Sequence, residues 1–273
     1  MLLSHVRIIL VEPAGALNVG SVARVMKNMG LQHLVLVNPQ CELDGAEARL
    51  MAVKAVDILA AAEVVPTLPD ALSGCQRAIA TTGIDRTALN VELEHPKTAL
   101  PWLLELPVTS ALIFGREDRG LSKEELNYAQ RCVQIPTAAD YTSLNLAQAV
   151  AICCYELANC LKPTDAANLA RSHQPNHQPT SQPDLPHSAD LATLDRVEGY
   201  YQQLEALLLK IGYLHPHTAA SRMEKFRRIY SRAQLSEAEV ALLRGTIRQT
   251  EWALKTAAPT DSIPDPSISD SSG

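Results

Sequence analysis

Ser110-Ala111-Leu112-Ile113-Phe114-Gly115-Arg116-Glu117-Asp118-Arg119-Gly120-Leu121-Ser122 reads as a strand, a loop and a helix start in one short stretch. The apolar run through Ser110–Gly115 suits a strand covered on both faces of a sheet. Four charges between two glycines follow, and Ser122-Lys123-Glu124-Glu125 has the spacing of a capping box closed by Glu125. A strand that feeds a helix in this way is half of a βαβ unit, and residues 1–162 repeat the arrangement. Further strands are expected at Val6–Val11, Leu34–Asn38, Arg77–Thr81 and Cys132–Ile135. Helices are expected at Gly20–Met29, stopped by Gly30, at Glu47–Ala62, from Ser122, and from Ser143 to Leu161. The expected fold is α/β with a mostly parallel sheet.

Beyond this domain the composition changes. Residues 163–190 are rich in Pro, Gln, His, Ser and Asn, the composition of a flexible linker. Leu191–Ile211, Thr218–Ala233 and Ser236–Lys255 then show helical periodicity, so 191–256 should form a small all-α domain of three helices. Residues 257–273 are Ser/Asp/Pro-rich and read as a disordered tail.

The bulk numbers exclude some classes. No apolar run approaches a membrane span and no basic segment precedes an apolar one at the N-terminus, so a cytoplasmic protein without membrane contact is expected. Six cysteines lack CxxC or His–Cys ligand spacing, which points to buried thiols rather than a metal site or disulfides. A net charge of −6 argues against a nucleic-acid partner until its distribution is read. Residues 191–256 hold ten Lys and Arg against seven Asp and Glu, whereas residues 1–162 hold thirteen against seventeen. In the second C-terminal helix Arg222, Lys225, Arg227, Arg228 and Arg232 spread over a wide polar face, which fits a solvated surface or a phosphate-binding one.

Fingerprints for dinucleotide, nucleoside triphosphate, serine-hydrolase and zinc-protease chemistry are absent. What remains is three polar segments at the carboxyl ends of expected strands, where open α/β sheets keep their ligands. In Glu12-Pro13-Ala14-Gly15-Ala16-Leu17-Asn18-Val19-Gly20-Ser21-Val22-Ala23-Arg24, Asn18 could cap the helix and Arg24 could grip a phosphate through two parallel hydrogen bonds. A structural cap with a surface arginine is the plainer reading. The second segment is the charged loop after Phe114. The third, Ile135-Pro136-Thr137-Ala138-Ala139-Asp140-Tyr141-Thr142-Ser143-Leu144-Asn145-Leu146-Ala147-Gln148-Ala149-Val150, offers backbone groups at a helix N-terminus, with Ser143 and Asn145 as candidate caps. Each alone could be mere capping.

In combination, EPAGALNVGSVAR, IFGREDRGLS and IPTAADYTSLNLAQAV resemble the motifs of the SPOUT methyltransferases, most closely the TrmJ-type bacterial tRNA 2'-O-methyltransferases. The likeness continues in YYQQLEALLLKIGYL and SRMEKFRRIYSRAQLSEAEVALLRG and spans roughly residues 4–255 apart from the linker. It implies a sheet whose C-terminal segment forms a trefoil knot, a homodimer packed through that knot, and S-adenosyl-L-methionine as cofactor, with no metal. The matching cofactor positions are Thr81, Thr82, Gly83, Gly115, Glu117, Ile135, Ser143, Leu144 and Asn145. Arg24 matches the family's catalytic arginine, facing the cofactor of the partner subunit, with Asn18, Glu117 and Ser143 orienting it. A guanidinium keeps its proton near neutrality, so a phosphate clamp that stabilises developing negative charge suits it better than a free base. The implied activity is tRNA processing: methylation of the ribose of cytidine or uridine 32 in the anticodon loop, with Arg222, Lys225, Arg227, Arg228 and Arg232 holding RNA. The alternatives are a SPOUT enzyme for another tRNA or rRNA ribose, and a non-catalytic RNA-binding protein that kept the fold.

Overall fold

The computed structural model of the protein describes residues 2–83, 92–138, 140–161 and 190–256. The strands are β1 (Val6–Val11), β2 (His33–Val37), β3 (Glu63–Val65), β4 (Arg77–Thr81), β5 (Leu93–Glu94), β6 (Ser110–Phe114) and β7 (Arg131–Val133). They form one 7-stranded sheet in the order β3-β2-β1-β6-β4-β7-β5, with every neighbouring pair parallel. Alternation along each strand supplies two cores. Ile8, Leu10, Leu36, Ile79, Leu112 and Phe114 face α1 (Ala16–Met29), α2 (Ala46–Ala52), α3 (Val56–Ala60) and, further along, α5 (Pro96–Ala99) and α7 (Leu146–Asn159). Ile9, Val11, Val35, Ala80, Ile113 and Cys132 face α4 (Leu68–Ala71) and α6 (Lys123–Leu126). Because both faces are covered, the central strands read as unbroken apolar runs. Burial pushes the Cys75 and Cys132 thiols up to about 11, so they pack as small apolar groups.

Strands β1 and β4 fall where the sequence puts them. Strand β2 starts one residue earlier, at His33, and ends before Asn38, which turns out of the sheet at φ 44°. Strand β6 ends before Gly115, and β7 spans Arg131–Val133 rather than reaching Ile135. The helix expected over Glu47–Ala62 is broken at Val53, which takes φ 53°; Lys27 bridges the break by donating to the Lys54 carbonyl oxygen and to Asp57. Helix α1 begins at Ala16, a turn before Gly20, because the Gly15 carbonyl already accepts from the N–H groups of Asn18 and Val19. Gly30, at φ 78°, closes it as expected. Near its start α1 runs against α2 so closely that a Cβ at Gly20 would stand 2.2 Å from the Ala48 carbonyl oxygen.

The C-terminal helices are α8 (Leu194–Lys210), α9 (Ala219–Ala233) and α10 (Glu237–Thr256), each close to its expected span. They share a core of Tyr200, Tyr201, Leu207, Met223, Val240 and Ile247, with Tyr200 and Tyr230 meeting edge to face at 5.2 Å. Residues 190–194 join this unit to the sheet domain. The Glu237 N–H donates to the Asp190 carbonyl oxygen and the Ala192 N–H to that of Leu235, while the Leu194 N–H donates to the Cys75 carbonyl oxygen at 2.7 Å. Leu194 packs into the α4/α6 core, and Asp195 accepts from the Gly74 N–H at 3.0 Å. Residues 163–189 of the expected 163–190 linker and the expected tail of 257–273 lie outside the described residues. Among those described, no helix is long and apolar enough to cross a membrane.

Candidate active site

The three polar segments follow β1, β6 and β7 and are joined by side-chain hydrogen bonds at the carboxyl end of the sheet. Glu117, from the loop after β6, reaches the start of α1. Its carboxylate accepts from the N–H of Ala14 at 2.9 Å, the N–H of Gly15 at 3.0 Å and the Asn18 side-chain amide at 2.9 Å. Burial raises the Glu117 pKa, but these donors outweigh it and hold the carboxyl below the ordinary 4.5. The Asn18 oxygen accepts in turn from the Asn145 amide at 2.9 Å. Asn145, not Ser143, is the N-cap of α7: its Oδ1 accepts from the Ala147 N–H at 2.9 Å, and Gln148 Oε1 accepts from the Asn145 N–H at 3.3 Å. Asn18 likewise lies inside α1 instead of capping it. Its value is as a bridge between two segments far apart in the chain.

A second network locks the charged loop itself. Arg119 donates to both oxygens of Glu125 and to Glu12 at 2.9 Å, and its hydrogen bonds to these two carboxylates raise its pKa. Glu125 also closes the capping box on Ser122. Arg116 pairs with Asp118 at 3.0 Å. Gly115 is required by space: a Cβ there would stand 2.1 Å from the Gly120 carbonyl carbon. The density of charge after Phe114 is thus spent largely on shaping the loop, a use that spacing alone does not show.

The proposed cofactor positions gather around this lock. The Thr81 hydroxyl donates to the Ile113 carbonyl oxygen at 3.0 Å and the Thr82 N–H to that of Val133 at 3.0 Å, tying the exit of β4 to both neighbours. Gly83 faces the third segment, where a Cβ would come within 3.9 Å of the Thr142 carbonyl oxygen. That segment folds on itself: the Thr137 hydroxyl donates to the Thr142 carbonyl oxygen and the Tyr141 N–H to that of Ala138. Ile135 and Leu144 are half-buried, whereas Ser143 and Asn145 are exposed. Apart from Glu117 the set is small or uncharged, which suits a group held by backbone hydrogen bonds and apolar contact. Arg24, on the third turn of α1, is exposed and makes no ion pair or hydrogen bond among the described residues.

Comparison with known proteins follows this geometry. Residues 5–155 match the family described as the SpoU rRNA Methylase family, and residues 195–261 match tRNA methyltransferase TrmJ, C-terminal domain. The chain belongs to the SpoU methylase family. It is 38% identical over 252 residues to the tRNA (cytidine/uridine/adenosine-2'-O-)-methyltransferase TrmJ of Pseudomonas aeruginosa, covering 92% of this chain and 95% of the relative. The tRNA (cytidine/uridine-2'-O-)-methyltransferase TrmJ of Klebsiella pneumoniae is 37% identical, at 92% and 98% coverage. The crystal structure of TrmJ from Z. mobilis superposes with a TM-score of 0.74 at 27% identity, over 90% of this chain and 98% of that one.

In this SpoU methylase the five basic residues of α9 divide. Arg222, Lys225 and Arg232 are exposed, and Arg228 is half-buried against Glu224. Arg227 does not join them: it turns inward, pairs with Glu198, and lies over the rings of Tyr201 at 4.6 Å and Tyr128 at 5.4 Å. The expectation that it binds RNA is corrected on that ground. Helical spacing gives direction round the axis, and Arg227 points toward α8.

Proposed function

We propose that this SpoU methylase transfers a methyl group from S-adenosyl-L-methionine to the 2'-hydroxyl of cytidine or uridine 32 in the tRNA anticodon loop. The observation that carries the reading is Arg24: an exposed arginine with no ion pair or hydrogen bond among the described residues, on a helix whose start is clamped by Glu117, Asn18 and Asn145. Relatives named as tRNA 2'-O-methyltransferases and a match to the TrmJ C-terminal domain support tRNA as substrate.

The cofactor supplies a methyl already activated for in-line displacement, so the protein's work is positioning and charge stabilisation. Thr81, Thr82, Gly83, Gly115, Ile135, Ser143, Leu144 and Asn145 would hold it, mainly through backbone groups. Arg24 would grip a phosphate beside the target ribose and stabilise the charge that develops on its 2'-oxygen. Glu117, through Asn18, keeps the first turn of α1 in register with the start of α7. Ser143, exposed beside Asn145, would close the site.

The same reading takes residues 1–162 as a knotted catalytic domain and 191–256 as a tRNA-binding extension in a cytoplasmic homodimer. Exposed Leu17 on α1 and Tyr155 on α7 supply apolar surface for dimerisation, and Arg24 would serve the partner's cofactor.

The test is transfer of labelled methyl to bulk tRNA by the native chain and by Arg24→Ala, with mapping of the modified nucleotide. Label at position 32 that disappears in the variant is the expected result. Label elsewhere would replace the substrate, and a folded chain that fails to bind the cofactor would sink the reading.

A further inference from the structure

We propose that the loop between α8 and α9 is a stacking platform for one unpaired nucleobase of the bound RNA, an inference that rests on reading the chain as a tRNA methyltransferase. Tyr213, half of its surface exposed, is held outward by a loop with little freedom. Gly212 ends α8 at φ 75° with its N–H donated to the Leu209 carbonyl oxygen. Leu214 is buried, and its N–H donates to the Leu208 carbonyl oxygen at 3.0 Å. On the far side the His215 carbonyl oxygen accepts from the N–H groups of Thr218 and Ala219, both at 2.9 Å.

Three further side chains complete the surface. The Arg222 guanidinium lies 5.7 Å from the Tyr213 ring centroid, within cation–π range. The exposed rings of His215 and His217 stack at 5.8 Å and 9°. An ordered phenol, a guanidinium and two parallel imidazoles are the surfaces on which splayed-out RNA bases stack.

Charge selects the partner. No Asp or Glu occurs between Glu205 and Glu224, although the chain carries −6 overall. The platform is therefore neutral to basic, and Arg222 and Lys225 beside it can meet the phosphates on either side of a stacked base.

The experiment is equilibrium binding of the full chain to unmodified tRNA over a range of salt, with chemical probing of base accessibility. Tyr213→Ala should weaken binding by roughly 5- to 150-fold, the value of one stacked base, with an unchanged salt slope and renewed reactivity at one unpaired nucleotide. Tyr213→Phe should restore both. Arg222→Ala should weaken binding and lower the salt slope by about one. Native-like binding by Tyr213→Ala would overturn the platform, as would a Phe variant as weak as Ala. In those cases methyl transfer by the native chain would leave the enzyme reading standing; a native chain that neither binds nor methylates tRNA would remove both.

Discussion

The site at the carboxyl ends of β1, β4 and β6 and the seam between sheet and helical domain both rest on arginine and carboxylate chemistry, but they are closed to different degrees. At the seam, Arg227 has two hydrogen bonds to Glu198 and lies over the rings of Tyr201 and Tyr128, with the two charged side chains only 19% and 13% exposed. At the site, Arg119 is similarly committed to Glu12 and Glu125, yet Arg24 on α1 is exposed and has no ion pair or hydrogen bond among the described residues. The difference teaches that a closed guanidinium holds architecture, whereas an open one beside a locked scaffold is available to a phosphate.

The largest expected effect is at the closed end. Arg227→Ala leaves Glu198 buried without its partner and should cost about 3–5 kcal/mol in urea denaturation; a loss below about 1 kcal/mol would break the contrast. Arg24→Ala should do the reverse, leaving stability within about 0.5 kcal/mol of native while methyl transfer falls by about 10²–10³. Equal destabilisation by the two variants would mean that Arg24 is structural. Arg232→Ala should sharpen the division within α9: no change in unfolding midpoint, and a salt slope of tRNA binding reduced by about one.

The smallest effect concerns pH. Glu117 titrates below its ordinary 4.5 in the folded protein, so the stability it contributes is complete above that value and is lost as pH falls through the lower folded value. The melting-temperature gap between native and Glu117→Gln should therefore be widest above pH 4.5 and close on acidification. A gap that stays constant with pH would show that the hydrogen-bond geometry, not the charge, matters.

Reading the sequence recovers the sheet's centre and loses its edges for one reason. Strands β1, β4 and β6 are buried on both sides and carry their burial as composition. Strand β3 is Glu-Val-Val at an edge with exposed residues, and β5 is two residues long, so neither leaves a pattern. The Asn145 cap was readable, since Asn145 and Gln148 have capping-box spacing, but Ser143 stood ahead of it as an equally good candidate. The Glu117–Asn18–Asn145 chain is not readable, because it joins residues 99 and 127 positions apart. Nor could spacing show that Arg227 meets Tyr128 of the other domain.

Residues 190–194 carry backbone hydrogen bonds on one side to Leu235 and Glu237 and on the other to Cys75. This short strap begins at the linker's last residue, so these docking contacts do not draw on residues 163–189. Nicking the chain inside that stretch should leave two fragments that stay together on a sizing column. The connection can then be lengthened, shortened or rewritten without undoing the docking, so long as the strap is kept.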